Sequence, residues 1–427
     1  MILLGVALFL LAVAIGLPIA FSLLLAAVPA FLSGEYLPVS IAVQKLVGVT
    51  QIYSLLAVPF FVFAGNIMAA SGIATRLVNF SNVLVGWMAG GLAQVSVVLS
   101  LLMGGISGSA VADAAMQSRL LGPAMIDEGY SKGFAAGVVA YSSIITSTIP
   151  PSIGLIVFGF IANVSIGKLL LAGIVPGIIL TAALMIYTFL AARHHGYAAA
   201  RETLPTRHEV WTAFQSAFWA LLFPVLLLVG FRFGFVTATE AGACAIFYSL
   251  FVGVAIHREL TWKTIGEVIS KSLGDIGMIM LIIIMVAPLS HAIVLANAPQ
   301  AIEGLFNAIS AGPTATLLLV LAFLVLAGAF MEATVNVLLL TPLFMPILVA
   351  QGLDPVQFGV LMVVILTMGS NTPPFGVTMF TVCGMLKCGI WQYARESLPF
   401  LLVMLSVFLL LALVPELILW LPNSVIH

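Results

Sequence analysis

Gly369-Ser370-Asn371-Thr372-Pro373-Pro374-Phe375-Gly376 interrupts an apolar run, from about Phe358 to Met385, that is long enough to cross a bilayer. Two adjacent prolines remove two backbone donors and disfavour helix in the residue before them, so carbonyls near Gly369 to Thr372 lose their helical partners. Bare carbonyls are costly in hydrocarbon. Backbone of this kind persists at membrane depth only where protein, a water-filled cavity or a bound ion satisfies it. Unwound carbonyls with Ser and Thr hydroxyls suit a hard cation such as sodium, and the positive N-terminus of the following half-helix suits an anion.

The first half of the chain contains an echo. Thr146-Ser147-Thr148-Ile149-Pro150-Pro151-Ser152 lies in a similar apolar segment, Phe134 to Ala162. Gly129, Pro150 and Pro176 match Gly352, Pro373 and Pro399 at one offset, 223 residues. A single Pro-Pro is compatible with a kinked structural helix, whereas paired interruptions at matched positions point to a transporter site at the repeat interface.

Of the 427 residues, 63% are hydrophobic and 7% charged, and mean hydropathy is +1.26. These values exclude a water-soluble globule and indicate a polytopic membrane protein. The apolar runs are continuous and long, without the short alternating segments of an outer-membrane barrel, so the spans are helices. A net charge of −1 and the lack of a basic stripe give no sign of a nucleic-acid partner. Cys244, Cys383 and Cys388 have no metal or disulfide spacing and read as core residues. The N-terminal stretch lacks a basic region before its apolar run and reads as a first span, not a cleaved signal.

Taken in order, residues 2–32 make that span, with Gly16 and Pro18 as a bend, and 36–50 an interfacial arm. A second span covers 53–71, and Arg76 to Trp87 lies at the interface. Residues 92–122 hold two apolar arms, each too short to cross a core of ~30 Å comfortably, around a break at Gly104-Gly105-Ile106-Ser107-Gly108-Ser109; this is a re-entrant hairpin with its tip at mid-depth. The Pro-Pro span 133–163 and a span at 168–192 complete the first half. A polar connection, Arg193 to Trp211, and a linking span at 213–234 follow. His194, His195 and His208 in this connection read as a solvated face. The second half repeats the plan: a span at 236–256, an arm at 258–272, a span at 273–296, an interfacial piece at 299–311, and a hairpin at 313–350 broken at Ala327-Gly328-Ala329. The Pro-Pro span 356–386 and a last span at 396–421 close it. Setting Pro123 on Pro342 aligns Glu332 of the second hairpin with Asp113 of the first.

The expectation is an all-α polytopic membrane protein with nine full spans and two hairpins. Residues 1–192 and 236–427 form two inverted repeats, joined by a cytoplasmic loop and linking helix at 193–235. Placing the polar connection in the cytoplasm puts eleven of the fourteen Lys and Arg residues on that side, all but Lys45, Lys168 and Arg232. The N-terminus is then cytoplasmic and the C-terminus periplasmic. The odd linking span inverts the second half, as expected of alternating-access carriers.

Across almost its whole length the chain resembles the large membrane (M) subunit of tripartite ATP-independent periplasmic (TRAP) transporters, within the ion-transporter superfamily. The resemblance rests on Gly-Gly-Ile-Ser-Gly-Ser-Ala-Val-Ala-Asp at 104–113, Gly122-Pro123-Ala124-Met125, Ile149-Pro150-Pro151-Ser152 and Asn371-Thr372-Pro373-Pro374-Phe375-Gly376. It implies sodium-coupled, elevator-type uptake of a small organic acid across the bacterial inner membrane. The partners it implies are a periplasmic substrate-binding protein (P subunit) and a small four-helix membrane (Q) subunit. At least two sodium ions are expected, and no organic cofactor. By the same resemblance one sodium lies among Ser107, Ser109, Thr146, Ile149 and Pro151, largely on carbonyl oxygens. The other lies among Gly328, Glu332, Gly369, Thr372 and Pro374. The substrate sits between the hairpins, with Thr148, Ser152, Asn371 and Asp113 as its candidate partners. Hairpins and broken helices would move together against a scaffold of the remaining spans.

Asp113 and Glu332 are carboxylates inside apolar hairpins, where ionisable groups are expensive and point to function; a helix-cap role is the alternative. His291 reads as a packing histidine, and Arg232 as a snorkelling boundary residue. A self-sufficient dicarboxylate or anion carrier of the same superfamily is the second reading. An intramembrane enzyme is disfavoured, because no zinc motif or paired intramembrane acids occur and no phosphate-binding loop is present.

Overall fold

The computed structural model describes residues 2–32, 38–296, 300, 304 and 312–425. The interfacial piece expected at 299–311 therefore falls, but for Gln300 and Gly304, outside the described residues. Every regular element among them is helical. The first half contains α1 (Ile2–Ala14), α2 (Ile19–Leu32), α3 (Val39–Thr50), α4 (Ala57–Ala70), α5 (Ile73–Val85) and α6 (Gly91–Gly104). It continues with α7 (Ala110–Leu120), α8 (Gly122–Asp127), α9 (Lys132–Thr148), α10 (Ile153–Ala162) and α11 (Ile166–His195). After the linker α12 (Arg207–Arg232) come α13 (Ala238–Phe251), α14 (Trp262–Leu295), α15 (Pro313–Phe330) and α16 (Ala333–Ala350). The last four are α17 (Pro355–Ser370), α18 (Val377–Leu386), α19 (Ile390–Leu413) and α20 (Glu416–Val425). By length and composition eight of these helices, or nine with the bent pair α9–α10 as one span, can cross a membrane.

Local chemistry sets the boundaries. α12 and α13 each begin at a capping box, Thr206 with Glu209 and Thr237 with Glu240, in which side chains satisfy backbone groups at the helix start. Asp354 caps α17, with Pro355 in the first turn where its missing N–H costs nothing. Ser152 caps α10, so the second arm of the first broken helix restarts immediately after the prolines.

Four expectations are revised. Residues 2–32 are two helices folded back on each other: Gly16, at φ +84°, permits the reversal, and a Cβ on Gly5 would stand 2.6 Å from the Ala26 carbonyl oxygen. The expected arm at 258–272 and span at 273–296 are one unbroken 34-residue helix, α14, because the change from amphipathic to apolar pattern alters the faces but not the backbone. Ala327-Gly328-Ala329 stays helical, and the second hairpin breaks instead at Met331-Glu332. The last span divides at Val414-Pro415 into α19 and α20, since Pro415 cannot continue the ladder.

At the centre lie the long arms of the two broken helices. Every residue from Gly133 to Thr148 of α9 and from Val356 to Ser370 of α17 is buried. Ser147 Oγ on α9 stands 3.2 Å from Thr367 Oγ1 on α17 and donates to it. Around α9 pack α6, α7, α11 and α19, while α15 and α16 flank α17. At the periphery, α3 has no buried residue.

Corresponding elements recur at a near-constant interval. α7 and α16 begin 223 residues apart, as do α9 and α17. The cis peptides Pro150-Pro151 and Pro373-Pro374, and Gly129 and Gly352 with φ near +85°, share that interval. Beyond the breaks the interval is 224, from Ile153 to Val377 and from Ile166 to Ile390. The first break holds four residues, 149–152, and the second six, 371–376.

Candidate functional site

The tip of the first hairpin rests directly on the first break. Gly108, at φ +59°, lies so close to it that a Cβ there would collide with the Pro151 carbonyl oxygen, and a Cβ on Gly104 would meet Ile149 at 2.6 Å. Only glycine allows this approach. Ser109 caps α7, accepting from the Ala112 N–H at 3.4 Å. One turn further along, Asp113 is 1% exposed. Its Oδ2 accepts from Thr146 Oγ1 at 2.7 Å, Ser100 Oγ at 2.8 Å and Gln117 Nε2 at 2.9 Å. Gln117 Oε1 accepts in turn from Ser96 Oγ at 2.6 Å. These donors come from α6, α7 and α9, so the carboxylate binds both arms of the hairpin to the broken helix.

The second hairpin meets its break by the same device. A Cβ on Gly328 would lie 2.5 Å from the Leu366 carbonyl oxygen, and one on Gly369 would lie 2.6 Å from that of Val325. The Phe330 and Phe375 rings stack at 5.2 Å, joining tip to break. Glu332 caps α16, accepting from the Thr334 and Val335 N–H groups at 2.8 and 3.3 Å and from Thr334 Oγ1 at 3.0 Å. Asn336, fully buried, donates to the carbonyls of Ala327 and Met331 at 3.1 and 3.0 Å, holding the end of α15 against α16. In the break itself, Asn371 Nδ2 donates to the Ala140 carbonyl at 2.9 Å, and its own carbonyl accepts from Tyr393 Oη at 2.7 Å. Ser370 Oγ and Thr378 Oγ1 lie 3.0 Å apart, bridging the interruption.

The expected residues fall into two groups in space. Ser107, Ser109, Thr146, Ile149 and Pro151 gather where the first hairpin touches the first break. Gly328 and Gly369 touch at the second, where Thr372 Oγ1 donates to the Met368 carbonyl at 2.8 Å; Pro374 is exposed there. Glu332 sits at the tip as a cap. Thr148 and Ser152 are buried, and their hydroxyls donate to the carbonyls of Ile144 at 2.7 Å and Ser147 at 2.5 Å. The expected pairing of Asp113 with Glu332 is corrected. Glu332 occupies the cap position that Ser109 holds in the first hairpin, and the residue 223 after Asp113 is Asn336. Pro123 and Pro342 mislead as anchors because Pro123 lies in α8, beyond the hairpin arm, whereas Pro342 lies within α16. Asn336, Ser96 and Ser100 are not among the residues the sequence singles out, and Gln117 stands out only as a polar residue of the first hairpin's second helix. Applying the Pro-Pro offset to Asp113 finds Asn336, and Ser96/Ser100 with Asp113/Gln117 are i, i+4 pairs on facing arms.

Several buried oxygens in this region have no hydrogen-bond partner among the described residues: Ser107 Oγ, Asp113 Oδ1, Asn336 Oδ1 and Asn371 Oδ1. Each belongs to a hairpin or a break. A buried polar atom without a partner is uncommon in folded proteins and calls for a specific explanation.

Residues 6–417 match the family model described as tripartite ATP-independent periplasmic transporter, DctM component. The chain is 37% identical, over 95% of both chains, to the 2,3-diketo-L-gulonate TRAP transporter large permease protein YiaN of Escherichia coli (strain K12). It is 35% identical to the sialic acid TRAP transporter large permease protein SiaM of Vibrio cholerae, over 96% of this chain and 95% of that one. In fold it is similar to the Alcanivorax borkumensis YdaH transporter, with a TM-score of 0.60 at 16% identity over 87% of this chain and 86% of that one. A multi-pass helical membrane protein matched over this length belongs to the tripartite ATP-independent periplasmic transporter family, as its DctM component.

Proposed function

We propose that this chain is the large permease of a sodium-driven system that takes up a small organic acid. A periplasmic binding protein delivers the acid, and a small four-helix subunit completes the membrane part. In a bacterium it works in the inner membrane and performs no covalent chemistry on its cargo. The observation that carries this reading is the pair of glycine-tight junctions between hairpin tip and broken helix at the buried centre, each with oxygens that lack a donor. Ser107 Oγ, Asp113 Oδ1 and break carbonyls are hard oxygen donors of the kind that ligate sodium, and no Lys or Arg among the described residues is hydrogen-bonded to them. The acid class is supported by the relatives, named for 2,3-diketo-L-gulonate and sialic acid, both carboxylic acids. Partners are supported by the tripartite nature of the family.

On this reading sodium draws each tip onto its break and completes a substrate site between the hairpins. Thr148, Ser152 and Asn371 then face the acid with the N-termini of α10 and α18. The two hairpins and two broken helices shift as one body against α3, α4, α13 and α14, with the halves related as inverted repeats. The test is uptake of 2,3-diketogulonate, sialic acid and C4-dicarboxylates into proteoliposomes under an inward sodium gradient, each component being omitted in turn. Uptake that requires sodium and all three components is expected. Uptake by this chain alone would replace the tripartite reading with a self-sufficient carrier. Ser107→Ala combined with Thr372→Val weakens the sodium dependence; an unchanged sodium dependence would remove these residues from the ion sites.

A further inference from the structure

A cavity of about 980 Å³ opens far from the hairpin tips, between α3, the end of α10, the α12–α13 turn and the last turns of α14. The lining is mostly apolar, and its polar members include Lys45, Asn163, Thr237, Thr239, Ser290 and His291. It stands at the end of the molecule opposite the polar connection: α12 has 26 residues, about 39 Å at 1.5 Å per residue, and its far end forms one wall.

The charge around the cavity is one-sided. Lys45, Lys168 and Arg232 are the three basic residues left off the side of the polar connection by the charge count, and each is in the lining or next to it in sequence. Lys45 lines the cavity, while Lys168 and Arg232 directly follow the lining residues Gly167 and Phe231. No Asp or Glu among the described residues lines it. The nearest carboxylate in sequence, Glu240, is folded back on its own helix, accepting from the Thr237 N–H at 2.7 Å and from Thr237 Oγ1 at 2.8 Å. Lys45 is half-buried and has no carboxylate partner among the described residues. A concave, low-dielectric wall of one sign concentrates counter-ions of the other.

We propose that this cavity is a carboxylate-binding vestibule, with Lys45 as its charge partner, from which the transported acid reaches the central site. The proposal deepens the uptake reading above and rests on it for the word "transported". The volume suits a small solute, and Lys45, Asn163 and the Thr and Ser hydroxyls offer a hydroxylated acid polar partners within a largely apolar wall. The position suits passage inward. Gly159 to Ile161, in the last turns of α10, form part of the wall; α10 has ten residues, about 15 Å, and starts at the first break. The vestibule is thus separated from the site by one short helix that belongs to the proposed moving body.

The test reads Lys45 directly. The purified full chain in phosphatidylcholine nanodiscs is treated with an amine-acylating reagent. Modification of Lys45 and of Lys387, at the other end of the molecule, is followed by peptide mass. Succinate at millimolar concentration, against chloride of equal ionic strength, slows acylation of Lys45 several-fold and leaves Lys387 unchanged. Equal rates at Lys45 overturn the proposal. Protection by phosphatidylglycerol that succinate does not compete away also overturns it, assigning the cavity to lipid. In reconstituted uptake, Lys45→Gln raises the half-saturating concentration about two- to fivefold, the size expected of a half-exposed ion pair, with the maximal rate and sodium dependence kept, and Lys45→Arg restores the parent value. An unchanged half-saturation in Lys45→Gln counts against the vestibule. If the parent shows no uptake of any acid, the transport reading fails, and the acylation result alone decides whether the cavity binds carboxylates.

Discussion

One oxygen of Asp113 gathers three donors and the other none among the described residues, so the residue ties the hairpin to α9 with half its capacity. Thr146 is the donor that reaches across from α9. Thr146→Val keeps the shape and removes that hydrogen bond, and is expected to destabilise the chain by about 1–3 kcal/mol; Thr146→Ser should restore most of it. Thermal unfolding of the purified protein checks this, and a valine variant as stable as the parent would mean that the contact does not anchor the hairpin. The prominence of Asp113 was legible from its charge alone, because an acid in an apolar hairpin has few tolerable surroundings. Its counterpart was not. Asn336 carries no charge to draw notice, while Glu332 does, yet Glu332 holds the cap position that a serine fills in the first half. Charge advertises a residue, whereas position in the repeat identifies its equivalent.

At the scale of elements, the Pro-Pro interruptions were readable because proline acts on its own neighbours and needs no tertiary context. The second hairpin break was not, because Ala327-Gly328-Ala329 is a passable helical sequence. Its glycine serves close packing against the Leu366 carbonyl and does not unwind the chain. The hairpin tips then depend on the absence of side chains. Gly108→Ala would drive a methyl group into the Pro151 carbonyl oxygen on a residue at φ +59°, and is expected to abolish uptake while the protein still inserts in the membrane. Gly384, on α18 with open space where an added methyl would stand, is the control: Gly384→Ala should leave uptake intact and stabilise the helix by about 0.5–1 kcal/mol. Full activity in Gly108→Ala would show that tip and break need not touch. The junction within α14 was illegible for a different reason, since a shift in amphipathic pattern looks like a boundary when no backbone breaker is there to make one.

For the whole molecule, composition indicated the solvent, and the matched spacing of prolines pointed to a division into halves. What composition could not show is how the first 32 residues run, because an apolar stretch with a glycine and a proline reads the same whether it bends or reverses. With α1 folded back along α2, residues Ile2 and Leu32 lie toward the same end. The disposition of α12 carries a direct expectation. In a cysteine-free background, Glu202→Cys and Arg232→Cys should react with a membrane-impermeant maleimide from opposite faces, Glu202→Cys from the cytoplasmic one. Labelling of both from one face would overturn the assignment of the polar connection and with it the inverted relation of the halves.

The unbroken α14 has a mechanical meaning of its own. At 34 residues it is about 51 Å long, against a hydrocarbon core of ~30 Å. A rod of that length joins the arm expected at 258–272 rigidly to the span that follows, so the arm cannot settle independently of the helix that carries it. When the surrounding bilayer thins or thickens, the difference is absorbed by tilting the whole rod or by deforming the adjacent lipid. On the uptake mechanism proposed above, this helix would act as a depth gauge, registering the scaffold to the membrane while the hairpins and broken helices shift.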